Sequence, residues 1–376
     1  MLLALSEIRR GKLRFGLLTG AVGLLVFLIL FLQTLTGALL GFFTGALEHQ
    51  SAQILVYGED ARRNPESSRV TVETVDAVAQ VDGVATAAAF SENTLSVDAG
   101  GADLFDTTIF GYELDGPGEP TTLSQGRLPR ADGEAVASAI DAGSGFGLGD
   151  VVTVVPGKQE LTIVGLADDL RFSVQPTLFV SYETFERTVL ATNPDAQAVL
   201  PSMVAVRVDA GVETAAVANE ITDRVEGVDA VTREGAVSSL PGVSAVRSSF
   251  QVLLFLAGFV VLLVTGIFFS ILTVQKTQAL TLLRAVGASA GYLLRNLLLQ
   301  VLLVTLGGIG VAAGLLALAA SVSTPDFPID ADPGLILATG SATLVLALAA
   351  SIASIRRVRR LDPAGATTRM AGGGLA

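Results

Sequence analysis

Few side chains in this sequence are of types that do chemistry. The chain has 376 residues, no cysteine and one histidine, His49. The lack of cysteine excludes a disulfide framework, a thiolate metal site and a cysteine nucleophile. With a single histidine, the chain cannot form a multi-histidine zinc site, and a Ser-His-Asp triad could use only His49. No P-loop, H-E-x-x-H, G-x-S-x-G or EF-hand spacing occurs, so nothing indicates an enzyme that acts alone.

His49 and its neighbour Glu48 follow a stripe of small residues. Gly37, Gly41 and Gly45 are spaced by four and therefore share one face of a helix. Small residues at this spacing let a second helix approach closely in lipid. Simple dimer packing and a substrate cleft that ends at Glu48 and His49 are both compatible with the stripe.

The elements that position these residues are apolar helices. Hydrophobic residues make up 51% of the chain, mean hydropathy is +0.61 and only 16% of residues are charged. Four windows lack Asp, Glu, Lys and Arg: 15–47, 248–275, 296–325 and 333–355. They predict transmembrane helices at about 15–40, 250–273, 293–320 and 334–354. The first window exceeds a signal-peptide core, so we expect a retained anchor.

The distribution of charge sets the expected orientation of these helices in the membrane. Lys and Arg lie before the first helix, in the 274–290 loop and after the last helix, which predicts that all three are cytoplasmic. The 321–332 loop and residues 48–246 then lie outside. Residues 48–246 hold 31 of the 36 acidic residues but 11 of the 24 basic ones. The acidity therefore belongs to the external part, as a solvated surface.

The predicted fold is a membrane α-helical protein with four transmembrane helices in a 1+3 arrangement. A large extracytoplasmic α+β domain, 48–246, is inserted between 1–47 and the C-terminal part, 247–376. Within it, 72–86 and 216–231 each read as helix, glycine and strand, which predicts one split α+β lobe. Segments 150–156 and 160–166 predict a hairpin in a β-rich lobe, preceded by a glycine-rich turn at 143–149.

This layout resembles the permease subunits of the MacB/FtsX type, the mechanotransmission class of ABC transporters. Three stretches carry the likeness: the basic lead-in 7–15, the loop 275–289 (QKTQALTLLRAVGAS) and the tail 355–363 (IRRVRRLDP). The resemblance implies that 275–289 is a coupling helix for two copies of a cytoplasmic ATPase, which binds the ATP. Its expected contact residues are Lys276, Gln278, Leu282, Arg284 and Gly287. It also implies a homodimer.

Within that class, the chain resembles the haem exporter permeases of the HrtB and DevC group. That likeness rests on 275–277 (QKT), on Gly291-Tyr292 and on 56–68 just past the first helix. It implies haem as a transported substrate, with no cofactor and no metal held by this chain otherwise. The residues expected to bind haem are Glu48, His49, Tyr57, Phe42 and Phe43.

Two other functions stay open at this stage. One is an FtsX-like module that signals to an external protein partner and transports nothing. The other is a lipoprotein-release permease. The first predicts a partner-binding patch on the external surface, and the second predicts a clamp for acyl chains. Neither predicts a nucleic-acid partner.

Overall fold

A computed structural model describes residues 11–101, 103–193, 195–275, 290–324, 329 and 331–359. The helices there are α1 (Lys12–Glu48), α2 (Val72–Ala79), α3 (Tyr182–Thr192), α4 (Thr214–Arg224), α5 (Arg233–Ser239), α6 (Val243–Gln275), α7 (Ala290–Ser321) and α8 (Pro333–Arg359). The strands are β1 (Ile54–Gly58), β2 (Val84–Asp98), β3 (Leu104–Tyr112), β4 (Leu123–Gly126), β5 (Glu134–Ser138), β6 (Val151–Val155), β7 (Gln159–Ala167), β8 (Thr177–Ser181), β9 (Met203–Val208) and β10 (Val228–Thr232).

The chain divides into two compact units. A membrane unit comprises Met1–Thr36 and Ser249–Ala376, and an external unit comprises Gly37–Ser248. Helix α1 starts in the first unit and ends in the second, and α6 runs the opposite way. Two of the long helices therefore continue beyond the membrane into the external unit.

Four helices of the described part are long and apolar enough to cross a bilayer: Lys12–Glu48, Val243–Phe268, Leu298–Ser321 and Pro333–Ser351. They confirm the four predicted spans. Helix α1 does not stop near residue 40 but continues to Glu48, and α6 begins at Val243 rather than near 250. The charge-free windows mark the membrane, whereas these extensions depend on contacts with the external unit.

In the membrane unit, glycines bring α1 against α7. A Cβ on Gly23 would lie 2.9 Å from Val311 and 3.1 Å from the Gly308 carbonyl oxygen. A Cβ on Gly308 would lie 2.9 Å from Val22. Small residues permit this close helix approach where no hydrophobic force holds helices together. Nearby in the same unit, the Thr339 hydroxyl donates a 2.7 Å hydrogen bond to the Gln33 side-chain oxygen and so ties α8 to α1.

The external unit has two lobes that share β2. In the sheet lobe, the antiparallel order is β10-β1-β9-β2. Helices α2 and α4 cover one face, where Val78, Val217 and Ile221 pack on Val56 and Val206. Each helix is followed by a glycine with positive φ, Gly83 (+88°) or Gly227 (+75°), and then by a strand. The two predicted helix–glycine–strand units are confirmed as parts of one lobe.

The second lobe is a closed barrel. Its ladders run from β2 to β3, β8, β5, β7 and β6, and the end of β2 pairs again with β6. The hairpin of β6 and β7 is confirmed, as is the glycine-rich turn before it, where Gly145 and Gly149 have positive φ. Alternate side chains fill the interior, among them Ile109, Val152 and Ile163. Closure leaves these six strands without a long open edge.

A third core joins the lobes to the helix ends. Ala46 and Leu47 of α1, and Val243 of α6, pack with Tyr57 of the sheet lobe and Phe110 of the barrel. The rings of Phe90, Phe110 and Phe179 form a cluster, with centroid distances of 5.4 Å from Phe110 to Phe90, 5.0 Å from Phe110 to Phe179 and 6.4 Å from Phe90 to Phe179. Aromatic side chains at these separations add to the stabilisation from burial. The outer ends of both helices are therefore embedded in the external unit.

Candidate functional site at the outer end of helix one

The three predicted stripe glycines have different surroundings. A Cβ on Gly37 or Gly41 would meet nothing within 4 Å. A Cβ on Gly45 would overlap the carbonyl oxygen of Asp169, in the loop between β7 and β8. The absence of a side chain at Gly45 thus lets a loop of the external unit contact α1, whereas Gly37 and Gly41 border open space within this unit.

The loop 168–175 attaches to α1 through backbone hydrogen bonds. The Val174 N–H donates to the Phe42 carbonyl oxygen at 2.9 Å, and the Ser173 N–H donates to that of Phe43 at 3.3 Å. In the other direction, the Ala46 N–H donates to the Arg171 carbonyl oxygen at 3.1 Å. We call loop 168–175 with α1 residues 42–46 the clamp. Backbone contact this close requires glycine at position 45.

The Arg171 side chain completes the clamp. Its guanidinium group lies 4.9 Å from the centroid of the Phe42 ring, within the range of a cation–π contact. It also forms a bidentate ion pair with Asp141, and the two side chains are only 12% and 3% exposed. Asp141 lies in a 3-10 turn directly after β5. One planar side chain therefore links α1, the loop and the barrel.

Glu48 and His49 lie at the end of α1. Glu48 is exposed, and its carboxylate accepts a hydrogen bond from the Thr44 hydroxyl at 3.4 Å. The His49 carbonyl oxygen accepts hydrogen bonds from the backbone N–H and the hydroxyl of Thr121, both at 2.8 Å, and its side chain is half-buried. The backbone is thus fixed here while the Glu48 carboxylate faces outward. Among the described residues, no group of three or more His, Cys, Asp or Glu could hold a metal ion.

The aromatic candidates are part of the packing of the external unit. Phe42 lies under Arg171, and Phe43 packs against the core that joins the two lobes. Tyr57 is fully buried in that core, its hydroxyl has no hydrogen-bond partner among the described residues, and burial raises its pKa. Tyr57 is therefore enclosed by protein, unlike Glu48. The coupling residues Lys276, Gln278, Leu282, Arg284 and Gly287 lie outside the described residues.

Sequence reasoning missed Arg171 and Asp141, which are 30 residues apart with no regular spacing between them. It also missed Glu92 on β2. This carboxyl group is 3% exposed, and neither of its oxygens has a hydrogen-bond partner in the described part. Burial, and then the negative charge of Glu66, raises the pKa of Glu92 to about 7, although Arg69 and the nearby Thr94 side chain oppose the shift. A lone Glu in an alternating strand gives no sign of this.

Four helices able to span a membrane, with a two-lobed insertion after the first, define a multi-pass membrane protein. The sequence matches the MacB-like periplasmic core domain over residues 15–224 and the FtsX-like permease C-terminal domain over 251–363. The chain therefore belongs to the MacB/FtsX family of ABC transporter permeases, which lie in the plasma membrane and work with a cytoplasmic ATPase. The resemblance inferred from the sequence is confirmed.

Three related proteins are distant in sequence. An uncharacterized ABC transporter permease of Mycobacterium tuberculosis is 27% identical over 268 residues, which cover 70% of this chain and 69% of that protein. A putative hemin transport system permease protein HrtB of Staphylococcus haemolyticus is 21% identical over 364 residues, covering 96% and 98%. The crystal structure of the periplasmic region of MacB from Actinobacillus actinomycetemcomitans covers 50% of this chain and 91% of its own, with 13% identity and a TM-score of 0.38.

Proposed function

We propose that this chain exports haem, or another lipophilic compound, outward from the membrane as one of two identical permease subunits. Both termini and the 275–289 segment face the cytoplasm, where two ATPase subunits dock on Lys276, Gln278, Leu282, Arg284 and Gly287. ATP-driven closure of the ATPases moves the helices and the external domain above them. Mechanical transmission, rather than a channel that opens, then expels the substrate.

The observation that carries this proposal is the uncovered side of α1. Gly37 and Gly41 border open space, and Glu48 is exposed on the same face beyond Gly45, which loop 168–175 covers. The same side of a second copy would form a narrow cleft with small walls and two carboxylates. A flat macrocycle fits such a cleft, and Glu48 or His49 supplies an oxygen or nitrogen ligand for its iron. The near full-length likeness to a putative hemin transport permease supports the same substrate.

Helix α6 offers a second surface for pairing. In the apolar stretch of this helix only 11% is buried, against 39% in the apolar stretch of α1. Large apolar side chains such as Phe255 and Phe259, 79% and 51% exposed, lie along it. In the dimer that we propose, the two copies pair through α6 as well as through α1. Phe42 and Phe43 then support the end of the cleft from behind, through their contacts with the external unit.

The test is a visible absorption titration with hemin of the full chain in detergent. We expect a saturable Soret shift at one hemin per dimer, and a weaker affinity in Glu48→Ala and in His49→Ala. Because the chain contains one histidine, a spectrum with histidine ligation identifies His49 directly. The control is Glu59→Ala, which removes another exposed carboxylate. No shift, or an equal loss in the control, would remove haem from the proposal.

One observation favours the signalling alternative. An open groove of about 530 Å³ lies on the sheet lobe between α4 and the edge strand β10, and polar and charged residues make up about half of its lining. Its residues include Arg63, Asn219, Thr222, Asp223 and Asp229. A groove of this kind suits an external protein partner better than a lipophilic compound. If the hemin titration fails, cross-linking from Asn219→Cys to external proteins of the same membrane tests that second function.

A further inference from the structure

The chain connects both membrane helices to the sheet lobe alone. Helix α1 leads into β1, and β10 leads through α5 into α6. Strands β1 and β10 are direct neighbours in the sheet lobe. The barrel is made of β3, β5–β8 and the far end of β2, and none of these adjoins a membrane helix in sequence. Motion of the helices therefore reaches the barrel either through the sheet lobe and the shared strand β2 or directly through non-covalent contacts.

The clamp is such a contact. Three backbone hydrogen bonds join α1 residues 42–46 to the loop that enters β8, and Gly45 lets the two backbones touch. The loop is also strained, because Asp169, Ser173 and Val174 have φ values of +53°, +51° and +65°. For the β-branched Val174 this conformation is a marked outlier. Such strain persists only where the surroundings hold the backbone in place.

Arg171 is the side chain that holds it. Its guanidinium group reaches from the loop to Phe42 on α1 and to Asp141 behind β5. The pair with Asp141 is buried and bidentate, so its geometry is fixed in a way that an exposed pair is not. Breaking this pair removes the side-chain support of the loop, whose contact with α1 then depends on the three backbone hydrogen bonds alone.

From this geometry we infer that Arg171 is a positioning residue that locks the barrel to the outer end of α1, so that the barrel moves with α1 during the transport cycle. The inference rests on the proposed function for the source of that motion. The inference goes beyond the proposed function because it names the lobe that moves with α1 and the side chain that connects the two. Phe42 and Asp141 are the two groups that Arg171 holds together.

The first measurement is amide hydrogen exchange of the full chain in nanodiscs without nucleotide. The variant is Arg171→Met with Asp141→Asn, which leaves no buried charge unpaired. Its matched control is Arg127→Met with Glu134→Gln, another bidentate pair of the same barrel. We expect exchange in peptides that contain Ala46, Ser173 and Val174 to rise at least tenfold in the variant and to stay within twofold in the control. Equal exchange in variant and wild type would overturn the inference.

The second measurement adds the cognate ATPase and compares the nucleotide-free and the vanadate-trapped complex. In the wild type, we expect exchange to change in α1 and also in β6 and β7. In the Arg171 variant, the change in α1 remains and that in β6 and β7 falls at least fivefold. Arg171→Lys keeps the charge but loses the planar stacking. Its nucleotide-dependent change in β6 and β7 should therefore lie between that of the wild type and that of the Arg171→Met variant.

The two measurements separate the possible failures. If β6 and β7 respond in the variant as in the wild type, the barrel does not depend on Arg171, and the inference is wrong while the proposed function stands. If the wild type shows no nucleotide-dependent change anywhere, the proposed function is wrong. The nucleotide-free measurement then still decides whether Arg171 locks the barrel to α1.

Discussion

Glu92 should make the stability of the external unit depend on pH near neutrality. Its carboxyl group is 3% exposed, and neither oxygen has a hydrogen-bond partner among the described residues. Glu66 on the neighbouring loop repels its charge, and Arg69 offsets only part of the effect. The fold therefore favours the protonated form. The perturbation that we choose is Glu92→Gln, which keeps the shape and removes the titration.

The size of the effect follows from the pKa. Burial raises the pKa of Glu92 from 4.5 to about 7. Because the folded state holds the proton more tightly, its stabilisation is complete below about pH 4.5 and is lost as pH rises through 7. A shift of roughly 2.5 pKa units is worth about 3.4 kcal/mol in total, of which about 2.5 kcal/mol falls between pH 5 and pH 8.

The assay is amide hydrogen exchange in β2 and β3 of the full chain at pH 5, 6, 7 and 8, corrected for intrinsic exchange rates. In the wild type we expect protection to fall roughly 70-fold from pH 5 to pH 8, the equivalent of about 2.5 kcal/mol. In Glu92→Gln this part of the pH dependence disappears. The absolute protection of the variant matters less, because a buried amide without partners carries its own cost of about 1–3 kcal/mol.

The control is Glu160→Gln, the same substitution at an exposed position on β7. It should leave the pH dependence of the wild type in place, since no charge is buried there. A wild type whose protection is flat between pH 5 and 8 would refute the reasoning. So would a slope that persists unchanged in Glu92→Gln.

Two further predictions concern the clamp. Gly45→Ala should lower the melting temperature of the full chain in detergent, by the equivalent of about 1–3 kcal/mol, because the new methyl group overlaps a backbone oxygen. Gly41→Ala should leave the melting temperature unchanged, because a Cβ at this position meets open space. Equal losses of melting temperature in the two variants would contradict the different surroundings of Gly41 and Gly45. Val174→Gly should raise the melting temperature slightly, because relief of about 1–2 kcal/mol of strain exceeds a cost of about 0.5–1 kcal/mol in chain entropy. Val212→Gly, at an exposed position without positive φ, should only lower it.

The parts of the fold that depend on local pattern could be predicted from the sequence. Charge-free windows identify the four spans because a charge at the bilayer centre is costly. The helix–glycine–strand units around Gly83 and Gly227 follow from helical spacing and from a residue that tolerates positive φ. The β6–β7 hairpin follows from two β-branched runs close together in sequence.

The parts that depend on distant contacts could not be predicted. Helix α1 extends to Glu48 because loop 168–175, more than a hundred residues later, bonds to its last turns. The barrel closes through parallel pairing of β3 with β8 and of β5 with β7, and no local signal specifies such partners. The glycine stripe was interpreted as one surface, yet Gly45 faces a loop of its own chain. Periodicity shows which residues share a face but not what covers it.

The position of β1 between β9 and β10 has a consequence for biosynthesis. Strand β1 leaves the membrane soon after α1, but its two partners begin only at Met203 and Val228. If the chain is synthesised at about 5–20 residues per second, roughly 10–30 s pass before both edges of β1 can be paired. The barrel, complete at Ser181, closes earlier. During that interval a factor that shields an apolar edge strand has its target on the outer face of the membrane, directly beside the translocation pore.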